Sequence, residues 1–439
     1  MYSVNQRPHI TIDYICIVKQ KSFSIHTLGC KLNFAESSQL ADDLKNAGYK
    51  HLRNMEESDL IIIHSCAVTA SAEKKTRNLI SKAKKANPDA EIALLGCYVD
   101  VSKDIDNYND LSQILPNDQK MDLISILEGQ FQKHRELKFH PAYSRNMRTR
   151  SFLKIQDGCD HFCTYCTVAH ARGRSRSDSI DAVLTNIEKI IDGGYKEIIF
   201  TGVNIGTFGI KNGESFTELI SAVDKKFAES GIRIRMGSIE PELLTDEIIE
   251  ITAKSNVIMP HFHLPLQSGS DSVLERMKRK YNTALYSEKC RIIKTKMPHA
   301  AIAADLIVGF PGETNDEFQE TYDFLKSIPI SFIHAFTYSD RPLAKASSFP
   351  NKVSPQTAKE RMRRINNLAK TKELAFHKEN LGTTRSILTE SRSKDGLIFG
   401  FSDNYIKCGV DAKKAKGNTI ICVKMVEIAS DFVSGDIIV

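Results

Sequence analysis

The stretch Lys154-Ile155-Gln156-Asp157-Gly158-Cys159-Asp160-His161-Phe162-Cys163-Thr164-Tyr165-Cys166 decides how this chain is read. A strand candidate, Phe152 to Gln156, runs directly into a C-x3-C-x2-C loop. Five further strand candidates follow, separated by helical patterns: Glu197 to Val203, Ile232 to Ile239, His261 to Leu266, Ala301 to Gly309 and Phe332 to Tyr338. Six βα units predict an open, partial (βα)6 barrel, because a closed eight-stranded barrel needs two more, and in either form the functional groups collect where strands end. The cysteine loop stands at the first of those ends.

Three thiolates on one short loop, Cys159, Cys163 and Cys166, can wrap a single iron-sulfur cluster. A four-iron cubane held by three cysteines keeps one iron open to a small molecule, as catalytic metal sites keep a position that structural sites close. The alternatives are a zinc knuckle with His161 or His170 as fourth ligand, or simple burial of the thiols.

Upstream, from Ser22 to about Gly96, the pattern alternates again. Strand candidates Phe23 to Leu28, Leu60 to His64 and Glu91 to Leu95 are separated by helical stretches Glu36 to Ala47 and Ala72 to Ala86, which predicts a parallel α/β layer. Cys30, Cys66 and Cys97 each stand just past one of these strands. A parallel sheet brings all three to one edge, where open α/β sheets bind ligands, so a second three-thiol metal site is expected against the alternative of chance burial. Cys16, Cys290, Cys408 and Cys422 sit in apolar or strand-like surroundings and are read as packing.

Between Asp104 and Arg150 the signal weakens, with one helix candidate at Met121 to Glu128. A long basic helix, Pro355 to Asn380, precedes a tail with β-branched runs such as Thr419 to Val426 and turn signals at Lys394-Asp395-Gly396 and Lys416-Gly417-Asn418. That tail predicts a small antiparallel β-barrel. The expected division is an extension at 1–21, an N-terminal α/β domain at 22–140, the barrel domain at 141–376 and the small β-barrel at 377–439.

The chain has 439 residues, 41% hydrophobic and 26% charged, which excludes disorder and a pure coiled coil. No apolar run approaches the roughly 18 residues of a membrane helix, and the start lacks the pattern of a signal peptide, so a cytoplasmic protein without a membrane partner is expected. The net charge of +6 permits a nucleic-acid partner. Arg341 to Glu379 holds ten Lys or Arg against three Glu, whereas Leu381 to Val439 carries an excess of only one positive charge.

These motifs resemble, in order, those of the methylthiotransferases within the radical S-adenosylmethionine (SAM) superfamily, over about Ser22 to Val439. The resemblance rests on Thr27-Leu28-Gly29-Cys30-Lys31-Leu32-Asn33, Gly96-Cys97-Tyr98, the cysteine loop, Ala171-Arg172-Gly173-Arg174-Ser175-Arg176-Ser177, Ser238-Ile239-Glu240-Pro241, Leu264-Pro265-Leu266-Gln267-Ser268-Gly269-Ser270 and Asp305-Leu306-Ile307-Val308-Gly309-Phe310-Pro311-Gly312-Glu313. The Gly-Cys-Lys-x-Asn form around Cys30 looks like the branch acting on N6-threonylcarbamoyladenosine in tRNA; other branches act on isopentenyladenosine tRNA or on ribosomal protein S12. The chain departs from the family at Ala169 and His170, where Pro and an aromatic are usual, and at His64 and Ser65, where Asn-Thr is usual. Neither departure removes a thiol.

The resemblance implies two 4Fe-4S clusters. Cys159, Cys163 and Cys166 would hold the one that binds SAM, and Cys30, Cys66 and Cys97 an auxiliary one that carries sulfur. It further implies replacement of the hydrogen on carbon 2 of the adenine at tRNA position 37 by a methylthio group, and a low-potential electron donor such as a flavodoxin or ferredoxin. The last domain would be a TRAM domain binding RNA, with the tRNA anticodon stem-loop and not DNA as partner. Gly202, Asn204, Glu240 and Gly309, all just past strand candidates, are nominated as SAM contacts: glycine permits close backbone approach, and a carboxylate accepts a ribose hydroxyl bond. Arg172, Arg174 and Arg176 beside the cysteine loop, and Lys359, Arg361, Arg363 and Arg364 on the basic helix, are nominated as RNA contacts. Against the enzyme reading stands a non-enzymatic iron-sulfur or zinc protein that binds RNA.

Overall fold

Leu60–Ser65 is buried at every position, as a strand must be in the middle of a sheet covered on both faces. The computed structural model, which describes residues 20–67, 69–132, 137–145 and 149–438, places it at the centre of a five-stranded parallel sheet. The order across that sheet is Lys50–His51, Ser22–Thr27, Leu60–Ser65, Glu91–Gly96 and Gln113–Leu115. The two outer strands were not expected, because runs this short show no periodicity. The first helix begins at Lys31, immediately after Cys30, rather than at Glu36. Its first turn buries Leu32, Asn33 and Ala35 together, and polar residues such as Asn33 obscure the apolar face in the sequence. The stretch Met121 to Glu128 resolves into a 3-10 turn, Lys120–Asp122, and a short helix, Leu123–Leu127.

All six strands expected of the barrel are present and parallel: Ser151–Lys154, Glu197–Thr201, Arg233–Arg235, His261–Gln267, Ala301–Val308 and Phe332–Thr337. The third is shorter than Ile232 to Ile239. A side chain on Gly237 would meet the Phe200 carbonyl oxygen at 2.6 Å, so the chain approaches its neighbour too closely there for regular pairing. Contact with the fourth strand falls to single bridges, Ile234 with Ile258 and Ser238 with His263. Alternate residues, including Ile198, Phe200, Phe262, Leu264, Ile302 and Ala304, form one core with the surrounding helices. Two short additions were invisible in the sequence: Ala142–Tyr143 pairs antiparallel with Ser151–Lys154, and Gln156–Asp157 pairs with Arg176–Ser177.

Helix Pro355–Asn380 matches its expected limits and crosses residue 376 without a break. It buries Ile365 and Leu368 in the central core and Phe376 in the core of the last domain, so it belongs to both. Beyond it, five strands close a barrel in the order Thr384–Lys394, Leu397–Ser402, Lys407–Asp411, Val433–Ile437 and Ile420–Ile428. Pairing is antiparallel except between Lys407–Asp411 and Val433–Ile437, which correct the wholly antiparallel expectation by running parallel. Asp395 and Gly396, at φ 52 and 78, make the two-residue hairpin turn that the sequence signalled. Among the described residues no helix is long and apolar enough to cross a membrane.

The small barrel docks beneath the central one through charge. Arg235 places Nε 2.8 Å from Glu197 Oε1, while its Nη2 and Nη1 donate to the carbonyl oxygens of Ser402 and Asp403 at 2.5 and 2.7 Å. Tyr405 stacks on His261 with ring centroids 4.4 Å apart. Replacing Arg235 by Ala strips a buried carboxylate of its main partner, so Arg235→Ala is expected to cost about 3 kcal/mol in urea unfolding. A cost under about 0.5 kcal/mol, the usual size for surface changes, would show that the small barrel does not depend on this pair.

Candidate functional site

Gln156 lies two residues past the first barrel strand, fully buried, with its polar atoms bonded to backbone groups and to the Ser175 hydroxyl. Its Oε1 accepts the N–H groups of Val203 and Asn204 at 2.8 and 2.9 Å, and its Nε2 donates to the carbonyl oxygens of Asp157 and Gly158. One side chain thus ties the start of the cysteine loop to the turn after the second strand. Gly158, at φ +69, turns the chain into the loop where a Cβ would lie 2.1 Å from the Arg174 carbonyl oxygen.

Each loop thiol meets an N–H donor. His161 N lies 3.3 Å from Cys159 Sγ, Val168 N lies 3.4 Å from Cys166 Sγ, and Arg279 Nη1 lies 3.1 Å from Cys163 Sγ. Burial nevertheless pushes the Cys159 thiol up to about 11 and the Cys166 thiol up to about 12. The loop is therefore built to receive thiolate charge while needing a cation to develop it. Arg279 also reaches Tyr165 Oη at 3.2 Å and pairs with Glu240. Burial raises Glu240 to about 7 despite that guanidinium. His161 is pushed down to about 4, by burial first and then by Lys280 and Arg279, so it is neutral. Its Nδ1 lies 3.8 Å from Glu242, whose buried carboxylate oxygens make no hydrogen bond.

The cysteines of the second set stand at the ends of neighbouring strands of the first sheet. Cys30 caps the first helix, Cys66 follows the central strand and Cys97 opens the helix Cys97–Val101. Gly29, at φ +105, lies so close to Cys66 that a Cβ would meet its Sγ at 3.0 Å. Asn33 Nδ2 donates to the carbonyl oxygens of Leu28 and Ser65, at 2.8 and 3.0 Å, fixing the chain just before both cysteines. Among the described residues no three Cys, His, Asp or Glu side chains close around one metal-ion position.

The nominated contacts separate into two groups. Asn204 is buried, and both polar atoms of its side chain lack a partner, which marks an unfinished polar site past the second strand. Gly202 allows close packing on Gln156, whose Oε1 a Cβ would meet at 2.7 Å. Gly309 turns at φ +79 and donates its N–H to Glu313 at 2.9 Å; its missing side chain admits Ala358 of the long helix, so its close approach serves packing.

Arg172 and Arg361 correct the RNA reading outright. Arg172 is 3% exposed and binds Glu36, Asp157 and Asn33; Arg361 is 5% exposed and binds Glu313 and Asn315. Neither can reach a phosphate. Arg176 is also mostly spent, on Asp157 and the Arg172 carbonyl oxygen. Arg174 is exposed and lies over the half-exposed Phe162 ring at 4.9 Å. Lys359 and Arg363 are exposed, and Arg364 lies across Phe318 and Tyr322. Cys290 and Cys408 are buried as expected, Cys422 is exposed on its strand, and Cys16 lies outside the described residues.

Sequence reasoning missed Gln156, Arg279, Asn33 and Glu36. Arg279 sits in the basic run Lys278-Arg279-Lys280, which reads as a solvated turn, and nothing local separates a buried Gln or Glu from an exposed one. A cavity of about 710 Å³ lies where the three domains meet, lined by Lys31, Arg150, Phe152, Tyr195, Arg392 and Tyr405. It reaches Lys31, the neighbour of Cys30, but its lining includes none of the thiols.

Comparisons with known proteins agree with this architecture. Residues 153–325 match the radical SAM superfamily and residues 22–115 the uncharacterized protein family UPF0004. Among solved structures, the radical S-adenosylmethionine methyltransferase TsrM from Kitasatospora setae superposes with a TM-score of 0.56 at 11% identity, over 75% of this chain and 77% of that one. The fold is thus that of a radical SAM enzyme. The threonylcarbamoyladenosine tRNA methylthiotransferase MtaB of Bacillus subtilis is 32% identical over 94% of this chain and 96% of its own length. The protein of that name from Thermotoga maritima is 35% identical over 88% and 91%. The tRNA-2-methylthio-N(6)-dimethylallyladenosine synthase of Finegoldia magna is 29% identical over 95% and 94%. The chain belongs to the radical SAM methylthiotransferase family and is an enzyme of that class.

Gly158 and Gly213 share nearly the same backbone angle, φ +69 and +75, but only Gly158 has backbone within 4 Å of a Cβ position. Gly158→Ala should cost at least about 2 kcal/mol more than Gly213→Ala in urea denaturation. Equal costs would mean that the Arg174 carbonyl does not constrain the loop.

Proposed function

We propose that this enzyme transfers a methylthio group to carbon 2 of N6-threonylcarbamoyladenosine at position 37 of tRNA. The reading is supported by a chain that resembles the threonylcarbamoyladenosine enzymes over nearly its whole length, in which one buried arginine hydrogen-bonds Asn33, near Cys30, and Asp157, near Cys159.

The donor chemistry of both sites fits iron-sulfur clusters, with three soft thiols each. Cys159, Cys163 and Cys166 would hold the cluster that binds SAM, and Cys30, Cys66 and Cys97 the auxiliary cluster. When bound, these groups supply a 5′-deoxyadenosyl radical and the sulfur, chemistry that an inert aromatic C–H requires and side-chain acids and bases cannot provide.

The residues of the chain supply placement. Gln156 holds the turn carrying Asn204, whose unpartnered amide offers a donor and an acceptor to the polar edge of SAM. Arg279 orients Glu240 beside Cys163 and gives the thiolate a fixed positive neighbour. Phe162 and Arg174, exposed together at the rim of the loop, form a stacking and phosphate-binding platform for an unstacked anticodon-loop nucleotide. The exposed Lys359 and Arg363 extend the positive surface. A low-potential donor such as a flavodoxin or ferredoxin would provide the electrons.

Mass spectrometry of tRNA nucleosides from cells lacking the gene tests the substrate. The 2-methylthio form of threonylcarbamoyladenosine should disappear and return with the wild-type gene. Loss of the methylthio form of isopentenyladenosine instead would move the enzyme to the other tRNA branch, and no change in either would direct attention to ribosomal protein S12. In the reconstituted enzyme, Cys163→Ala should abolish 5′-deoxyadenosine formation. Cys66→Ala should retain that formation and lose only the methylthio nucleoside; parallel loss of both products in Cys66→Ala would contradict the separate roles. Arg174→Ala should weaken tRNA binding by about 1 kcal/mol and lower the salt slope by about 1, read by filter binding across salt concentrations. An unchanged slope would remove Arg174 from the RNA surface.

A further inference from the structure

Arg172 is the last residue of the helix Val168–Arg172 that follows the cysteine loop, yet its guanidinium lies against the N-terminal domain. Its Nη2 donates to Asn33 Oδ1 at 2.6 Å and its Nη1 to Asp157 Oδ1 at 2.9 Å. Asn33 passes the connection to the carbonyl oxygens of Leu28 and Ser65, which precede Cys30 and Cys66. Asp157 Oδ1 accepts the N–H of Gly158 at 2.8 Å, directly before Cys159. Glu36, on the same helix as Asn33, clamps both guanidinium nitrogens at 3.2 and 3.1 Å, which prevents rotation.

We infer that Arg172 is a positioning residue that sets the distance and orientation between the two thiol triads, and so decides whether radical formation is coupled to sulfur transfer. A continuous hydrogen-bonded path runs from the chain before Cys30 and Cys66, through Asn33, Arg172 and Asp157, to the chain before Cys159. A planar fork holding partners in both domains constrains angle as well as distance, which apolar contact between domains does not. A substrate carbon that must meet a hydrogen-abstracting radical on one side and a sulfur on the other tolerates little change in that spacing, since an error near 1 Å can cost about 100-fold in rate.

The test combines the metal-free and the reconstituted protein, and only its activity arm rests on the function proposed above. Hydrogen exchange on the metal-free chain is compared for wild type, Arg172→Lys and Asn33→Ala. Each substitution should speed exchange on both sides of the interface, in residues 27–34 and in 157–166. In the reconstituted enzyme, iron content should hold and 5′-deoxyadenosine should still form, while the ratio of methylthio product to 5′-deoxyadenosine falls about tenfold in each variant and no further in the double variant, as residues on one path behave. Arg145→Ala serves as the control, because it removes another bridge to the same helix, Arg145 Nη1 to Asp42 Oδ2 at 2.8 Å, without touching the path; its ratio should stay at the wild-type value. Exchange confined to the mutated side, a proportional fall of both products, or additive effects in the double variant would each overturn the inference. If the wild type makes no methylthio product at all, the proposed function falls, and the exchange arm alone decides the role of Arg172.

Discussion

The buried charge cluster around Glu36 is the constraint on which the rest of the structure depends. Its carboxylate takes Lys120 at 2.5 Å, Lys154 at 2.8 Å and Arg172 at 3.1 Å, with no exposure on any of its atoms. Burial alone would raise this carboxyl, but Arg172, Lys120 and Lys154 together hold it well below its usual range. Removing such ions from water costs several kcal/mol each, and the geometry must recover that cost. Asp157 completes the count by binding Lys154, Arg172 and Arg176. Four cationic side chains then face two carboxylates, an excess of two positive charges beside two sets of thiols. His64, packed into the same cluster, is driven well below its usual value, by burial first and then by Lys120, and adds no charge. The excess is what thiolate-bearing centres on either side would balance.

The same device recurs at each junction between parts of the molecule. Arg235 with Glu197 seats the small barrel, Arg361 with Glu313 seats the long helix against the Gly309 turn, and Arg279 with Glu240 braces the cysteine loop. Each pairs a guanidinium with a buried carboxylate and uses remaining N–H groups on other acceptors, which satisfies the charges and fixes the approach angle. These pairs are neutral in sum and leave the net charge of +6 unchanged. Of the cations nominated from the motifs, Arg172 and Arg361 are turned inward while Arg174, Lys359 and Arg363 are exposed.

The six barrel strands, the three inner strands of the first sheet and the closing β-barrel were legible in the sequence because they rest on period and placement. Cys30, Cys66 and Cys97 could be joined across long separations since parallel strands must share an edge. What the sequence did not disclose was exposure. Arg172 and Arg174 are two residues apart in one basic motif; one is an interior tie and the other a surface cation, and their identities are the same. Gln156 and Glu36 escaped notice because a buried polar residue is defined by partners distant in sequence, Asn204 for one and Arg172 for the other. Gly309 was nominated as a SAM contact for the close backbone approach glycine permits, but which neighbour that approach admits, the helix residue Ala358, depends on tertiary contact.

Why the two triads should be joined through charge follows from what hydrophobic burial can specify. Apolar contact between Phe152 and Ile199 of the barrel and Ala35 of the first helix closes the interface but is non-directional, so side chains can slide over one another at small cost. The Arg172 fork cannot slide without giving up its directional bonds to Glu36, Asp157 and Asn33 in a dry interior, which leaves Lys120, Lys154 and Arg176 alone to balance the two carboxylates. The interface therefore has one favoured register where apolar packing alone would allow several. That register fixes how the helix Lys31–Asn46, which follows Cys30, sits against Asp157 and the chain leading to Cys159. The cost of burying ions is accepted at the boundary where two domains must hold one geometry.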